Sequence, residues 1–241
     1  VCNHAHNGRS TETFRNEGHF DLIQKQLRPG DFVVIQFGHN DQKHPHLQAY
    51  NGYPENLRRF IAEIRAKKAL PILATPIARN VWTEQNGKLT YNDLLHDHAQ
   101  ACIALGKELN VPVLDLHQAA MDEIIRLGRD ASKIYYHQGD WTHTNDYGAV
   151  RAAGYAADEL RSLGEAFPDY LPLIQTVSAS SEPWKPEAAL LLEKPARLAG
   201  VKDPNGTEEG TAAQDHQAEK DGGDALARLL AAVQSACGQS V

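Results

Sequence analysis

Phe32-Val33-Val34-Ile35-Gln36-Phe37 is a nearly continuous apolar run, and Gly38-His39-Asn40-Asp41 follows it without a break. An apolar run of this kind, entered from the Arg28-Pro29-Gly30-Asp31 turn, predicts a strand covered on both faces. The residues after it repeat the theme. Leu57, Phe60, Ile61 and Ile64 carry the i, i+3, i+4, i+7 spacing of an amphipathic helix, and Leu70 to Thr75 is a second buried strand stopped by Pro76. Strand, helix and strand in succession imply a parallel sheet with helices on both faces. Ligands in such sheets bind at the carboxyl ends of the strands. Gly38 to Asp41 sits at one of those ends, so pattern alone places it where chemistry is expected.

Outward from this centre the alternation continues. Val1-Cys2 resembles the end of a strand, and Phe20, Ile23 and Leu27 are spaced for one helix face. Val81-Trp82-Thr83 and Lys88-Leu89-Thr90 flank Asn86-Gly87, which predicts a small hairpin or long loop beyond the sheet. Tyr91 to Leu109 is expected to be helical. Val111 to Asp115 follows as a strand whose Pro112 suits a strand start or an edge. A further helix runs to about Leu127, and Asn145 to Leu163 forms a long final helix. The expected division is a domain over residues 1–164 and an extension over 165–241. Within the extension, residues 201–224 hold seven acids and two lysines, a composition that favours disorder. Leu226, Leu229, Leu230 and Val233 could line a short terminal helix capped by Asp224.

Composition narrows the classes of function. At 241 residues, 41% hydrophobic and 23% charged, the chain can bury a full core. The net charge of −7 resides mostly in the acidic segment, so no polyanion-binding surface is indicated and nucleic acid is excluded as an expected partner. No apolar run approaches membrane-spanning length, and no membrane partner is expected. Cys2, Cys102 and Cys237 form neither a disulfide framework nor a zinc pattern, and Cys102 reads as a small buried hydrophobe. The pairs His4-x-His6, His44-x-His46 and His96-x-His98 lack the partners of a zinc site, so no metal is expected. Compartment and oligomeric state are not legible.

Two segments besides Gly38–Asp41 carry possible chemistry. In Asp140-Trp141-Thr142-His143, the i, i+3 spacing lets one turn bring a carboxylate to an imidazole Nδ1–H, so that Nε2 can act as a base. The same aspartate would also suit a helix cap. Asn40 offers an N–H donor to a developing oxyanion, with Gly38 allowing close backbone approach; a turn bonded to its own backbone is the plainer account. In Asn3-His4-Ala5-His6-Asn7-Gly8-Arg9-Ser10, the Gly8 N–H could serve the same oxyanion, or Gly8 could be an ordinary loop glycine.

The three segments, in this order, resemble the SGNH (GDSL-type) hydrolase superfamily, and more narrowly its rhamnogalacturonan acetylesterases. That group shows an Asn-x-Ala-x-x-Gly-Arg-Ser stretch, a Phe-Gly-His-Asn-Asp stretch and an Asp-x-x-His near the last helix. The resemblance covers about residues 1–164 and implies a flavodoxin-like α/β fold. It implies His143 as general base then acid, Asp140 as its orienting partner, and Gly8 and Asn40 as the oxyanion hole. The implied reaction is hydrolysis of O-acetyl esters on a pectic polysaccharide through an acyl-serine, with no cofactor. Trp82 and the 79–90 hairpin become candidate sugar-facing elements, though packing alone would also account for Trp82. One departure stands out: the family's Gly-Asp-Ser nucleophile segment follows its first strand, and this sequence shows no such segment before Gly8. Ser10 belongs to the second motif, and Gly223-Asp224-Ala225 has alanine where serine is needed. The nucleophile and the first strand are therefore expected upstream of Val1. Without that strand, the sheet would have two unpaired edges and an apolar gap. Two alternatives follow: an inactive remnant that binds glycan, and an SGNH esterase for another acyl ester. The polar loops and lack of an apolar lid speak against lipid.

Overall fold

The computed structural model describes residues 2–180. Its central sheet has three parallel strands in the order β1 (Phe32–Gln36), β2 (Leu70–Ala74), β5 (Val113–Leu114). The register pairs Phe32 with Leu70 and Gln36 with Ala74, then Leu73 with Val113. All three strands thus end on one side, where Gly38–Asp41, Thr75–Asn80 and Asp115 emerge.

Helices cover both faces, as the alternation of the strand residues demands. Ile35 and Leu73 point into one core with Phe14, Phe20, Phe60, Ile61 and Ile64. This layer comprises α1 (Thr11–Asn16), α2 (His19–Gln26), α3 (Gly52–Ala66) and α4 (His96–Leu109). Ile72, Ala74 and Leu114 point the other way, into a core with Ile124, Tyr155, Leu160, Tyr170 and Ile174. That layer comprises α5 (Leu116–Leu127), α6 (Asp146–Ser162) and α7 (Leu171–Ser180). The hairpin of β3 (Trp82–Gln85) and β4 (Lys88–Tyr91) stands apart from the sheet, turned by Asn86 and Gly87 at φ 52° and 73°. Two positive φ angles in succession match the asparagine–glycine preference of such turns.

Several expectations change. Cys2 is not in a strand, and Val1 lies outside the described residues. The helix expected from Tyr91 begins at His96 instead, because Tyr91 pairs with Trp82 in the hairpin. A short helix the periodicity did not announce, α1, is opened by a capping box: Ser10 Oγ accepts from Thr13 N and Thr13 Oγ1 accepts from Ser10 N. Residues assigned to the extension after 164 continue the second core: Tyr170 is buried and its hydroxyl donates to Pro71 O at 2.7 Å, and Val177 is also buried. The acidic segment and the terminal helix expected near Leu226 lie outside the described residues. Among the described residues, β1 is paired on one side only, and Val34 is 54% exposed there.

One buried polar knot fixes the second layer. Glu123, on α5, accepts from Tyr135 Oη at 2.5 Å, Tyr155 Oη at 2.6 Å and Arg151 Nε at 2.6 Å. Arg151 lies over the Tyr155 ring, 4.2 Å from its centroid. Burial raises the Glu123 pKa, but these donors outweigh it and hold the carboxyl below its ordinary value. The knot ties α5, α6 and the 132–135 turn together just below the Asp140–His143 loop.

Candidate active site

The Asp140–His143 segment is a tight turn built around one carboxylate. Asp140 Oδ1 accepts from the backbone N–H of Thr142 (2.6 Å) and of His143 (3.0 Å), and Oδ2 faces His143 Nδ1 at 2.6 Å. Burial works against the Asp140 charge, yet the hydrogen bonds from His143 and the two amides leave its pKa below the ordinary value. An ionised Asp140 makes Nδ1 the protonated nitrogen, so Nε2 is the one that can take a proton. Capping of the next helix falls to another residue: Asn145 Oδ1 accepts from Gly148 N, while its Nδ2 donates to Ile134 O and Tyr136 O. The turn is closed at its base by the Tyr136–Thr144 bridge and by Tyr136 Oη donating to Ala78 O. Gly148 is obligatory in this packing, since a Cβ there would lie 2.0 Å from Tyr135 O.

The strand-end motif is a turn bonded to itself, with Gln42 N donating to Gly38 O and Lys43 N to Asn40 O, both at 3.1 Å, and it is also tied to distant segments. Gly38 has φ 135°, and a Cβ on it would lie 2.9 Å from Pro76 Cγ, so glycine lets the ends of β1 and β2 touch. His39 Nε2 bonds Ile77 O at 3.0 Å. Burial, reinforced by the Arg79 cation, pushes the His39 pKa down to about 3, which makes it a neutral structural ring and not a competing base. Asp41, fully buried, accepts from both Thr11 N (3.0 Å) and Thr11 Oγ1 (2.5 Å) through Oδ1. Burial raises its pKa, and these donors only partly offset that.

That anchor brings the first segment to the strand end. With Thr11 fixed on Asp41, the Gly8–Ser10 loop lies against Asn40, whose Nδ2 donates to Arg9 O at a long 3.4 Å. Asn40 Oδ1 accepts from Lys43 Nζ at 2.8 Å, which orients the amide with its nitrogen toward the Gly8 loop. Gly8 has φ 72° with open space around it. Ser10 is 1% exposed and its hydroxyl is engaged by Thr13 in the α1 cap.

Trp82 is tied down. Its Nε1 donates to Asn80 Oδ1 at 2.6 Å, and its ring meets Tyr91 edge-on at 5.6 Å. Among the described residues, the exposed tryptophan is Trp141, inside the Asp140–His143 turn. Arg79 also reaches the site: its Nη2 donates to His39 O at 3.1 Å, and Asp140 favours its charge. Trp141 comes to the site with the local turn, whereas Arg79 is brought there by a contact between segments forty residues apart, which spacing does not show. Among the described residues no group of histidine, cysteine and carboxylate could hold a metal ion, and no helix is long and apolar enough to cross a membrane.

Comparison with known proteins gives the family and the fold. Residues 1–151 match the GDSL-like lipase/acylhydrolase family. Rhamnogalacturonan acetylesterase RhgT of Bacillus subtilis (strain 168) is 34% identical over 184 residues, spanning 71% of this chain and 78% of RhgT. Probable rhamnogalacturonan acetylesterase YesY of the same organism is 31% identical over 73% of this chain and 81% of its own length. Among solved structures, the Bacillus subtilis protein YxiM superposes with a TM-score of 0.57 at 29% identity, over 65% of this chain and 44% of that longer one. The chain belongs to the GDSL-like lipase/acylhydrolase family.

Proposed function

We propose that this protein removes O-acetyl groups from a rhamnogalacturonan-type pectic polysaccharide through a serine acyl-enzyme. The 2.6 Å contact between Asp140 Oδ2 and His143 Nδ1 carries the proposal, because it is the arrangement that makes an imidazole Nε2 a base. The nucleophile is a serine hydroxyl expected from a Gly-Asp-Ser segment ahead of Val1. His143 Nε2 takes its proton as the oxygen attacks the acetyl carbonyl. The Gly8 N–H and Asn40 Nδ2 bind the oxyanion. The imidazolium then protonates the departing sugar hydroxyl. Water repeats the sequence and releases acetate. Asp140 stays ionised throughout, orienting the ring and stabilising its cation. The relatives named as rhamnogalacturonan acetylesterases support the choice of substrate.

The test is acetate release by the protein expressed from its complete gene. Acetylated rhamnogalacturonan is compared with aryl esters of acetate and of long-chain acids. Preferential release from the polysaccharide, abolished in a folded His143→Ala variant, is the expected result. A clear preference for long acyl chains, or normal turnover in the variant, would refute it.

A further inference from the structure

The Gly8 N–H is one half of a peptide whose other half is held by a cation. Arg9 folds back on its own loop, and its Nη1 donates to Asn7 O at 2.8 Å. Asn7 O and the Gly8 N–H belong to the same planar trans peptide, so they point in opposite directions. Whatever fixes the carbonyl also fixes the N–H. The bond has a second effect: a cation on the carbonyl oxygen polarises the amide and makes its N–H a stronger donor. Gly8 sits at φ 72° with open space where a Cβ would be. Glycine takes positive and negative φ about equally, so the peptide entering it is easily turned over, which would carry the N–H to the opposite face of the loop.

Arg9 is itself braced. Its Nε donates to Glu17 Oε2 at 2.7 Å, and His19 Nε2 meets the same oxygen at 2.9 Å. These two partners hold the Glu17 carboxyl below its ordinary pKa, so the anion that orients the guanidinium persists. The His19 ring stacks on His6 at 3.8 Å, which ties the start of the loop to the first turn of α2. On its main-chain side, Arg9 O accepts from Asn40 Nδ2 at 3.4 Å. One residue therefore contacts both proposed oxyanion donors, the Gly8 peptide through its side chain and Asn40 through its carbonyl.

We propose that Arg9 is a positioning residue, which clamps the Asn7–Gly8 peptide so that its N–H faces the developing oxyanion. The inference rests on the proposed reading of Gly8 and Asn40 as oxyanion donors. The clamp acts as negative charge grows on the substrate oxygen, so its contribution belongs to kcat and not to KM.

The test uses the protein expressed from its complete gene and two readouts, the kinetics of acetate release and the amide nitrogen resonance of Gly8. Arg9→Met keeps the stem and removes the donors. It should lower kcat by about 10–100-fold, less than deleting a donor outright, with KM within about twofold of wild type. The Gly8 nitrogen should move upfield as the polarising bond is lost. Arg9→Lys keeps a cation but cannot reach Asn7 O and Glu17 together, and should give an intermediate kcat. Glu17→Gln, which leaves the Gly8 loop unaltered in sequence, should lower kcat by a smaller factor at unchanged KM. A folded Arg9→Met protein with wild-type kcat, a loss confined to KM, or an unmoved Gly8 resonance overturns the clamp. If Arg9→Met does not fold, wild-type kcat in both Arg9→Lys and Glu17→Gln overturns it instead. Full acetate release by the folded Arg9→Met protein refutes the clamp and spares the esterase. A wild type that releases no acetate, with the Gly8 resonance still moved by the substitution, refutes the esterase and leaves the clamp on the peptide.

Discussion

Replacing Asp140 by asparagine removes the negative charge while leaving the turn a means of surviving. The carboxylate makes three contacts: Oδ1 to the Thr142 and His143 amides, and Oδ2 to His143 Nδ1 at 2.6 Å. An asparagine has one acceptor oxygen. Placed on the two amides, it preserves the backbone of the turn and points its NH2 group at Nδ1. Two N–H groups at that separation repel, so the imidazole proton moves to Nε2 and Nδ1 becomes the acceptor. The ring then stays in place but presents a protonated Nε2 to the nucleophile. A wrong tautomer of this kind costs about 10⁴ in turnover, or about 5 kcal/mol on the barrier. Initial rates of acetate release measure the loss, and ¹⁵N spectra of labelled histidine report which nitrogen carries the proton. A variant that retains turnover within about tenfold of wild type despite the altered tautomer would refute the assignment of His143 as base. An unaltered tautomer would refute the structural reasoning itself.

Two further outcomes are expected. Asn40→Ala should lower the rate on the order of 10²–10³, read as kcat with little change in KM; a negligible loss would mean that Asn40 only shapes the strand end. Glu123→Gln should destabilise the fold by about 3 kcal/mol in urea unfolding, since it removes the buried charge to which Tyr135, Arg151 and Tyr155 all donate. The Glu123 pKa is depressed in the fold, so its contribution is fully present above its ordinary 4.5 and is lost as pH falls through the lower folded value. The variant should therefore show a shallower loss of stability in acid than wild type, and identical slopes would contradict the role given to the carboxylate.

The parts of the molecule that follow a local period were legible in the sequence. Ile35, Leu73 and the Leu57–Ile64 stripe announced two strands and a helix, and Asn86-Gly87 announced the hairpin, because each signal depends on neighbours a few residues apart. The Asp140–His143 pair was legible for the same reason: one turn closes it. Thr11 as the anchor of Asp41 was not, since the bond joins residues thirty apart and neither residue type advertises it. Trp82 and Trp141 show the same limit. Both are tryptophans near a motif, and contacts with the Asn80 side chain and the Tyr91 ring, which hold the Trp82 indole, separate the rigid one from the exposed one. Arg79 opens the 79–90 segment, but its bond to His39 O joins residues forty apart, and no local pattern announces it.

The Asp140 turn also divides its labour in a way that bears on how such a protein can diversify. Asp140 and His143 use their side chains to hold the turn, and Thr142 contributes its amide. Trp141 contributes only a carbonyl, which any amino acid could supply to Asn80. Position 141 therefore lies within the Asp140–His143 turn, yet its side chain is not required for the turn's geometry. Substitutions there can reshape what approaches His143 while the Asp140–His143 contact stays as it is. Descendants of this chain could change diet at that position without first rebuilding their chemistry.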